Sequence, residues 1–403
     1  MSMKNLFTFI VCYLISTYAA LAVDVAAIVW PAYQPEPRWA ELGIFKHGCG
    51  EWQNVYEAVP KYDGHREPRT PLWGYENEAD PNVVARKIDA ALAAGINVFI
   101  YDWYWYQGRP FLENALNEGF LKAPNNERMK FYIMYANHDV DNTWNNKIAN
   151  KEMKTPHYNA DITLDEFKKL AHRWVDMYFK KPNYYKIDGK PVFFLYLPEI
   201  LVRGMGPEKA KEALEYLDKI TKDAGFKGIH LQFPGGWNRG TFAIPGNKKP
   251  TPAELFKYFN VDSFTAYNWR GVVPMKGKYP FVEDVDYETW GAECVARCSA
   301  LQERYMTPYC PNVTIAWDNN SRFPKGVKTG VTLNATPKAF EKFLRLTKDW
   351  VEKNPTRDGA KLIIINSWNE WTEGSYLEPD THFGYGYLNA CARVFGGSGQ
   401  QTQ

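Results

Sequence analysis

The chain has 403 residues, 48 basic and 46 acidic side chains, and a net charge of +2. So even a balance leaves no electrostatic footprint for nucleic acid or an anionic membrane surface, and neither is expected as a partner. Aromatic residues make up 16%, with 15 Trp and 26 Tyr, a supply that suits both a large core and stacking against sugar rings.

The first segment reads as a targeting peptide. Lys4 supplies a positive start, Leu6 to Tyr18 an apolar run, and Ala20-Leu21-Ala22 a small-x-small cleavage pattern. The run is too short to span a bilayer, and no later stretch approaches the ~18 apolar residues a membrane helix needs. The expectation is therefore a signal peptide over 1–22, one domain over 23–395 and a flexible Gly/Ser/Gln tail over 396–403. The mature chain would be periplasmic or secreted, without membrane insertion. Beyond Cys12 there are five scattered cysteines, Cys49, Cys294, Cys298, Cys310 and Cys391, read mostly as small buried hydrophobes. None joins a histidine pattern with metal-ligand spacing, so no metal and no cofactor is expected.

From there, strand-length apolar runs alternate with stretches of helical period. Strand Val25–Tyr33 precedes a Pro- and Trp-rich excursion and a helix over Pro81–Ala94, with proline in its first turn and Gly95 beyond its end. Strand Asn97–Trp105 leads to a helix over Phe111–Leu121, and strand Lys130–Asn137 to a helix over Leu164–Phe179. Thr163 with Glu166 three residues on predicts a capping box there. Strand Pro191–Leu197 precedes a helix over Pro207–Ala224, and strand Gly228–Phe233 a Gly/Asn/Pro-rich loop with a short helix over Ala253–Tyr258. Strand Val261–Tyr267 is followed by a helix over Tyr287–Tyr305, strand Asn312–Trp317 by a helix over Pro337–Lys353, and strand Lys361–Ser367 closes the series. Eight alternations predict an α/β fold, a single (β/α)8 TIM barrel with long βα loops. A doubly wound sheet would carry a Gly-rich phosphate turn after its first strand, and this sequence has none.

Barrel enzymes place their chemistry where strands end. Here those ends read Trp30 to Tyr33, Asp102-Trp103-Tyr104-Trp105, Asn137-His138-Asp139, Tyr196 to Glu199, Trp237-Asn238, Tyr267-Asn268 and Trp317-Asp318. The last strand runs into Trp368-Asn369-Glu370-Trp371-Thr372-Glu373-Gly374. A continuous strand would send residues three apart to opposite faces. A turn after Glu370, permitted by Gly374, brings both carboxylates to one pocket. Two such acids among indole rings suit acid/base chemistry on a sugar. Glu51-Trp52, in the first long loop, can fold over that pocket, and Arg322 is read as a contact for acidic substrate groups or an ordinary surface arginine.

The element Asn369-Glu370-Trp371-Thr372-Glu373-Gly374, followed by Leu377-Glu378-Pro379-Asp380, resembles WbsX-type proteins and the related glycoside hydrolase family 99. Gly50-Glu51-Trp52-Gln53-Asn54-Val55, the aromatic run Tyr101–Tyr106, Ala136-Asn137 and Trp317-Asp318-Asn319 match in the same order. Family 99 comprises endo-acting α-mannosidases and α-mannanases on (β/α)8 barrels. The resemblance implies that Glu373 is the general acid/base. It also implies that Glu370 assists the sugar's own 2-hydroxyl through an anhydro-sugar intermediate, with net retention. Thr372 stands where family 99 usually has His, and Asn137-His138-Asp139 where WbsX-type proteins usually show Asn-Glu-Asn.

The leading expectation is an exported glycoside hydrolase on a complex polysaccharide or glycan, with Glu370 and Glu373 catalytic. Substrate contacts are expected from Tyr33, Glu51, Trp52, Asp102, Trp103, Trp105, Asn137, His138, Asp139, Trp237, Tyr267, Asn268, Trp317, Asp318, Trp368, Asn369 and Trp371. A glycosyltransferase of polysaccharide biosynthesis and a non-catalytic glycan-binding protein are the alternatives.

Overall fold

The computed structural model describes residues 22–149, 151, 155–236 and 239–396. Almost all of the expected leader and tail, and Trp237, lie outside the described residues. Eight parallel strands form the barrel: β1 Asp24–Val29, β2 Val98–Tyr106, β3 Lys130–Tyr135, β4 Lys190–Leu195, β5 His230–Pro234, β6 Ser263–Thr265, β7 Asn312–Thr314 and β8 Leu362–Asn366. Neighbours pair in chain order from β1 to β6, and β8 lies between β7 and β1. In β1, Ala26 is in register with Val98 on one side and Ile364 on the other. The seam between β6 and β7 is thin, a parallel bridge from Phe264 to Tyr309 just before β7, so the barrel is nearly closed.

The strands read as unbroken apolar runs because helices cover their outer faces while side chains fill the interior. β2 shows the alternation. Phe99, Tyr101 and Trp103 meet Phe120 and Trp174 of the outer layer, whereas Asp102 and Tyr104 reach the cavity at the barrel's mouth. Outer helices start where side chains satisfy free amides. The Asp80 carboxylate accepts from Asn82 N at 2.8 Å ahead of Pro81–Ala93, and Thr163 Oγ1 accepts from Glu166 N at 3.2 Å ahead of Leu164–Trp174. Glu166 does not complete the expected box: its carboxylate accepts from Trp105 Nε1 at 2.8 Å. The reciprocal box stands at Thr251/Glu254, heading Pro252–Tyr258.

Three expectations are corrected. The helix expected from Phe111 begins only at Ala115, as a wide turn to Phe120, because Arg109–Phe111 folds back as a strand against β2. Gln107 and Gly108, both with positive φ, make the two-residue turn that joins them. The helix expected over Tyr287–Tyr305 breaks at Arg297 into Tyr287–Ala296 and Cys298–Tyr305. Pro198–Met205 and Gly386–Phe395 are helices that the reading by period passed over. The five cysteines among the described residues are free, four of them buried. No helix among the described residues is long and apolar enough to cross a membrane.

Candidate active site

After β8 the chain bends. Asn369–Glu370 pairs antiparallel with Ser375–Tyr376 around a single 3-10 turn, Trp371–Glu373, closed by Gly374 at φ +65°. The left-handed backbone favours glycine, and a Cβ there would press on an Arg69 nitrogen at 3.1 Å and the Asp318 Cβ at 3.2 Å. The bend turns Glu370 and Glu373 into one cavity of about 290 Å³ at the C-terminal mouth of the barrel. Trp30, Tyr104, Trp144 and Tyr196 supply its rings, and Asp102, His138, Asp139, Tyr267 and Arg322 its polar walls.

Arg322 is the organising residue, and the sequence reading left it open. It is buried beneath the cavity floor. Its Nη2 donates to Glu370 at 2.7 Å and its Nη1 to Glu373 at 2.9 Å. Its Nε and Nη2 grip the fully buried Glu51 at 2.7 and 3.1 Å. Glu51 also accepts from Trp30 Nε1 at 2.6 Å. It reaches this position because Gly50 passes so close to β1 that a Cβ there would stand 1.9 Å from the Ala32 carbonyl. Only position in a folded chain distinguishes this arginine from an exposed one.

The two glutamates are unlike. Glu370 accepts from Arg322 and, at 3.0 Å, from the Tyr267 hydroxyl, while its amide donates to Ser367 Oγ at 2.8 Å. Glu373 accepts from Arg322 through Oε1, and its buried Oε2 has no hydrogen-bond partner. Burial, then the charge of Glu373, pushes the Glu370 carboxyl up to about 8 against the pull of Arg322. Burial raises Glu373 as well, with Arg322 and Arg270 opposing. At neutral pH the pair therefore retains a proton. Burial and the two glutamates hold Asp102 well above the usual carboxylate range. Burial keeps the His138 imidazole neutral.

Of the residues expected to touch substrate, Asp102, His138, Asp139 and Tyr267 line this cavity with the glutamate pair. The other described ones are placed elsewhere by packing. Trp103 and Trp105 point outward along β2, their indoles donating to Glu113 and Glu166 at 2.8 Å each. Tyr33 and Trp52 pack together behind Glu51, ring centroids 4.1 Å apart. Asn137 braces the end of β4, bonding Leu197 N and O at 2.8 and 2.7 Å. Asn268 caps the turn Trp269–Val272. Asn369 clasps the Trp30 backbone at 2.7 and 2.8 Å and donates to Glu78. Trp368 is buried against Phe99, and Trp371 stacks on Tyr376 at 3.8 Å while donating to Glu378. Trp30, Tyr104 and Tyr196 appear in the strand-end list of the sequence, whereas Trp144 lies in a loop with no period to betray it.

Trp317 and Asp318 belong to a second cavity of about 470 Å³, between the loops after β1, β7 and β8. There Asp318 is gripped by Arg69 Nη2 at 2.7 Å and His65 Nε2 at 2.9 Å, with Glu67 alongside Arg69 at 3.1 Å. His65, Glu67 and Asp318 cluster closely enough to suggest a cation site. The histidine's Nδ1 accepts from Lys61 N at 3.0 Å, so Nε2 carries the proton it gives Asp318, and Arg69 supplies the positive charge. His65 and Asp318 are thus engaged with each other and with Arg69 in an internal ion-pair cluster. Arg69 also donates to the Trp371 carbonyl at 2.8 Å and so steadies the turn that carries Glu373.

The sequence profile of the family described as "Glycosyltransferase WbsX" matches residues 25–391. The chain belongs to this WbsX family. It is similar to "Uncharacterized protein WxcX" of Xanthomonas campestris pv. campestris, 25% identical over 387 residues. The match covers 92% of this chain and 49% of that one, so the chain spans about half the length of the curated relatives it matches. Among solved structures, a "Glycoside hydrolase-like protein" superposes with TM-score 0.58 at 15% identity, covering 93% of this chain and 94% of that chain. The GH99 endo-alpha-mannosidase from Bacteroides thetaiotaomicron, solved with BIS-TRIS-Propane, superposes with TM-score 0.53 at 14% identity, covering 92% of this chain and 95% of its own. These likenesses establish the (β/α)8 architecture of this WbsX chain.

Proposed function

We propose that this WbsX protein is an exported glycoside hydrolase acting on a complex polysaccharide or glycan. The observation that carries the reading is the buried pair Glu370 and Glu373, held by one guanidinium on the wall of one ring-lined cavity. Of the four oxygens in that pair, Glu373 Oε2 alone lacks a protein partner, so its hydrogen-bonding capacity is the one left unspent. Burial raises both carboxyls of the pair, and the unspent oxygen favours Glu373 as the donor. Geometry takes precedence, because a proton is delivered only across hydrogen-bond distance.

In this mechanism Glu373 gives its proton to the departing glycosidic oxygen as that bond breaks. Glu370, its anionic form supported by Arg322 and Tyr267, takes the proton of the sugar's 2-hydroxyl, whose oxygen closes on the anomeric carbon. Water then opens the anhydro-sugar, giving a proton to Glu373 as it attacks the anomeric carbon, while Glu370 returns its proton to the departing 2-oxygen, and configuration is retained. This route follows from the family resemblance, and the paired carboxyls on one guanidinium support it. Trp30, Tyr104, Trp144 and Tyr196 would flank the sugar with amphipathic faces. The test is a polysaccharide screen for released oligosaccharides with wild type and Glu373→Gln. Wild-type release, reduced by at least about a hundredfold in the variant, is expected; equal release from both would discard the role of Glu373. The family's description favours glycosyl transfer as a second reading. Incubation with nucleotide sugars and acceptor glycans separates the two, since a transferase lengthens the acceptor and a hydrolase shortens it.

A further inference from the structure

The described wall of the cavity is rich in carboxyl groups. The one cation among its described lining residues is committed: Arg322 spends Nε, Nη1 and Nη2 on Glu51, Glu370 and Glu373 and keeps no open fork for a ligand. Around it stand the carboxyls of Asp102, Asp139, Asp141, Glu370 and Glu373. Asp139 is answered by Arg203 at 2.7 and 2.8 Å, and Asp141 caps the turn at Thr143. Asp102 is answered by nothing. It is 4% exposed, its Oδ1 has no hydrogen-bond partner, and it projects from β2 into the space that Glu370 and Glu373 face. Glu373 Oε2 is a second buried orphan. His138 adds a third acceptor, because its Nδ1 lies 2.9 Å from the Asp139 carbonyl, which only accepts, and Nε2 is left with the lone pair.

Such a wall suits hydroxyls and amines, which donate. A ligand carboxylate or sulfate brings only acceptors and a negative charge, and among the described lining residues it finds no uncommitted guanidinium or ammonium. We propose that this cavity takes a sugar unit bearing hydroxyl or amino groups but no carboxylate or sulfate, and that Asp102 is its specificity-determining residue. The proposal rests on the glycan reading above and names the class of sugar that the site accepts. The groups facing Asp102 are Glu370 and Glu373, with Tyr104, Tyr196 and Tyr267 close by. With those carboxyls adjacent and water excluded, Asp102 stands as a neutral acid that offers one donor and one acceptor to a sugar hydroxyl. An anion beside it would face the field of the whole carboxyl set.

The test is a panel of acidic polysaccharides, each in native form and after its carboxylates are reduced to alcohols or its sulfates removed, together with neutral glycans. Full-length wild type and Glu373→Gln are run by affinity electrophoresis through each member, and wild-type digests are analysed for released oligosaccharides. Retardation by neutral and reduced members but not by their native acidic partners is expected, with every newly formed reducing end neutral. Retardation by the acidic forms as strong as by the reduced ones, or release at a uronate, overturns the specificity while leaving the hydrolase reading intact. Retardation by neutral members with no release under any condition supports the specificity and sinks the hydrolase reading. No retardation anywhere overturns both. On a cleaved neutral substrate, Asp102→Ala is expected to raise KM about tenfold while kcat changes less than about threefold, the loss of one buried hydrogen bond to ligand. An unchanged KM overturns the role of Asp102; Asp102→Asn, nearly isosteric, is measured beside it, with the melting temperature confirming the fold, and should recover much of the loss.

Discussion

Two buried arginine clusters flank the turn Trp371–Glu373, and they differ in charge balance. Around Arg69 the acids are Glu67 and Asp318, and they are answered by that one cation and by the neutral donor His65. Burial alone would raise Asp318, but Arg69 and His65 outweigh it and hold this carboxyl well below its ordinary value. Around Arg322 the acids are Glu51, Glu370 and Glu373, with Asp102 nearby, and burial wins: Glu370 is pushed up to about 8. A cluster whose acids are answered holds loops together; an excess of buried acid stores a proton where a ligand can reach it. The same residue types build both, so arithmetic and exposure decide which one is chemical.

The comparison breaks first on Glu373. Glu373→Gln removes the proton-carrying oxygen but keeps the shape, and turnover on the identified glycan should fall by about 10²- to 10⁴-fold with thermal unfolding little changed. The Arg69 side gives the control, since Asp318→Asn should lower stability while leaving kcat within about threefold. A larger kinetic loss at Asp318 than at Glu373 would reverse the assignment of the two clusters.

Arg322→Met is expected to have the next largest effect, on stability. It strands three buried carboxyls without a cation and should cost roughly 3–5 kcal/mol in denaturant unfolding at pH 7. The deficit should shrink toward pH 5, where Glu370 and Glu373, both raised by burial, take up protons. A deficit that does not depend on pH would mean that packing, not charge, is what Arg322 supplies.

Acid and base titration should separate the clusters by sign. Glu370 has a folded value raised from 4.5 to about 8, so its contribution to stability is fully present below about pH 4.5 and is lost as pH rises through about 8. Asp318 is depressed below 3.8, so its contribution is present above that pH and is lost as pH falls through its folded value. Unfolding free energies of wild type, Glu370→Gln and Asp318→Asn across this range should show the alkaline slope reduced in the first variant and the acid slope in the second. Activity should also decline above about pH 8, as the pair's last proton leaves.

How far the sequence reached follows from what each signal measures. Barrel alternation was legible because strands covered by helices are apolar throughout and their helices carry a strong period, as in Pro337–Lys353. The bend at Gly374 was legible because a glycine three residues after Asn369-Glu370-Trp371 permits the left-handed conformation that brings Glu373 back. Arg322 was not, since its partner Glu51 lies 271 residues away and nothing local marks a buried arginine. Asn137, Trp368, Asn369 and Trp371 sit at strand ends, as chemistry would require, yet spend their polar atoms or ring faces on holding those ends. A polar residue at the mouth of a barrel can serve the loop or the ligand, and sequence position does not separate the two.

The smallest expected effect tests the alternation itself. Along β2 the cavity receives Asp102 and Tyr104, while Trp103 and Trp105 stack against each other on the outside, ring centroids 6.0 Å apart. Trp105→Phe removes the indole N–H that reaches Glu166 and keeps most of the ring's packing, so a stability loss of about 0.5–1.5 kcal/mol is expected. Because successive side chains of a strand point to opposite faces, that loss should leave KM and kcat on the identified glycan unchanged. Tyr104→Phe, one position away, makes the reverse measurement: its ring lines the cavity, and removing the hydroxyl should raise KM severalfold with little change in stability. A kinetic defect in Trp105→Phe equal to that in Tyr104→Phe would mean that the sugar chain extends over the outer face of β2, and the boundary of the site would have to be redrawn there.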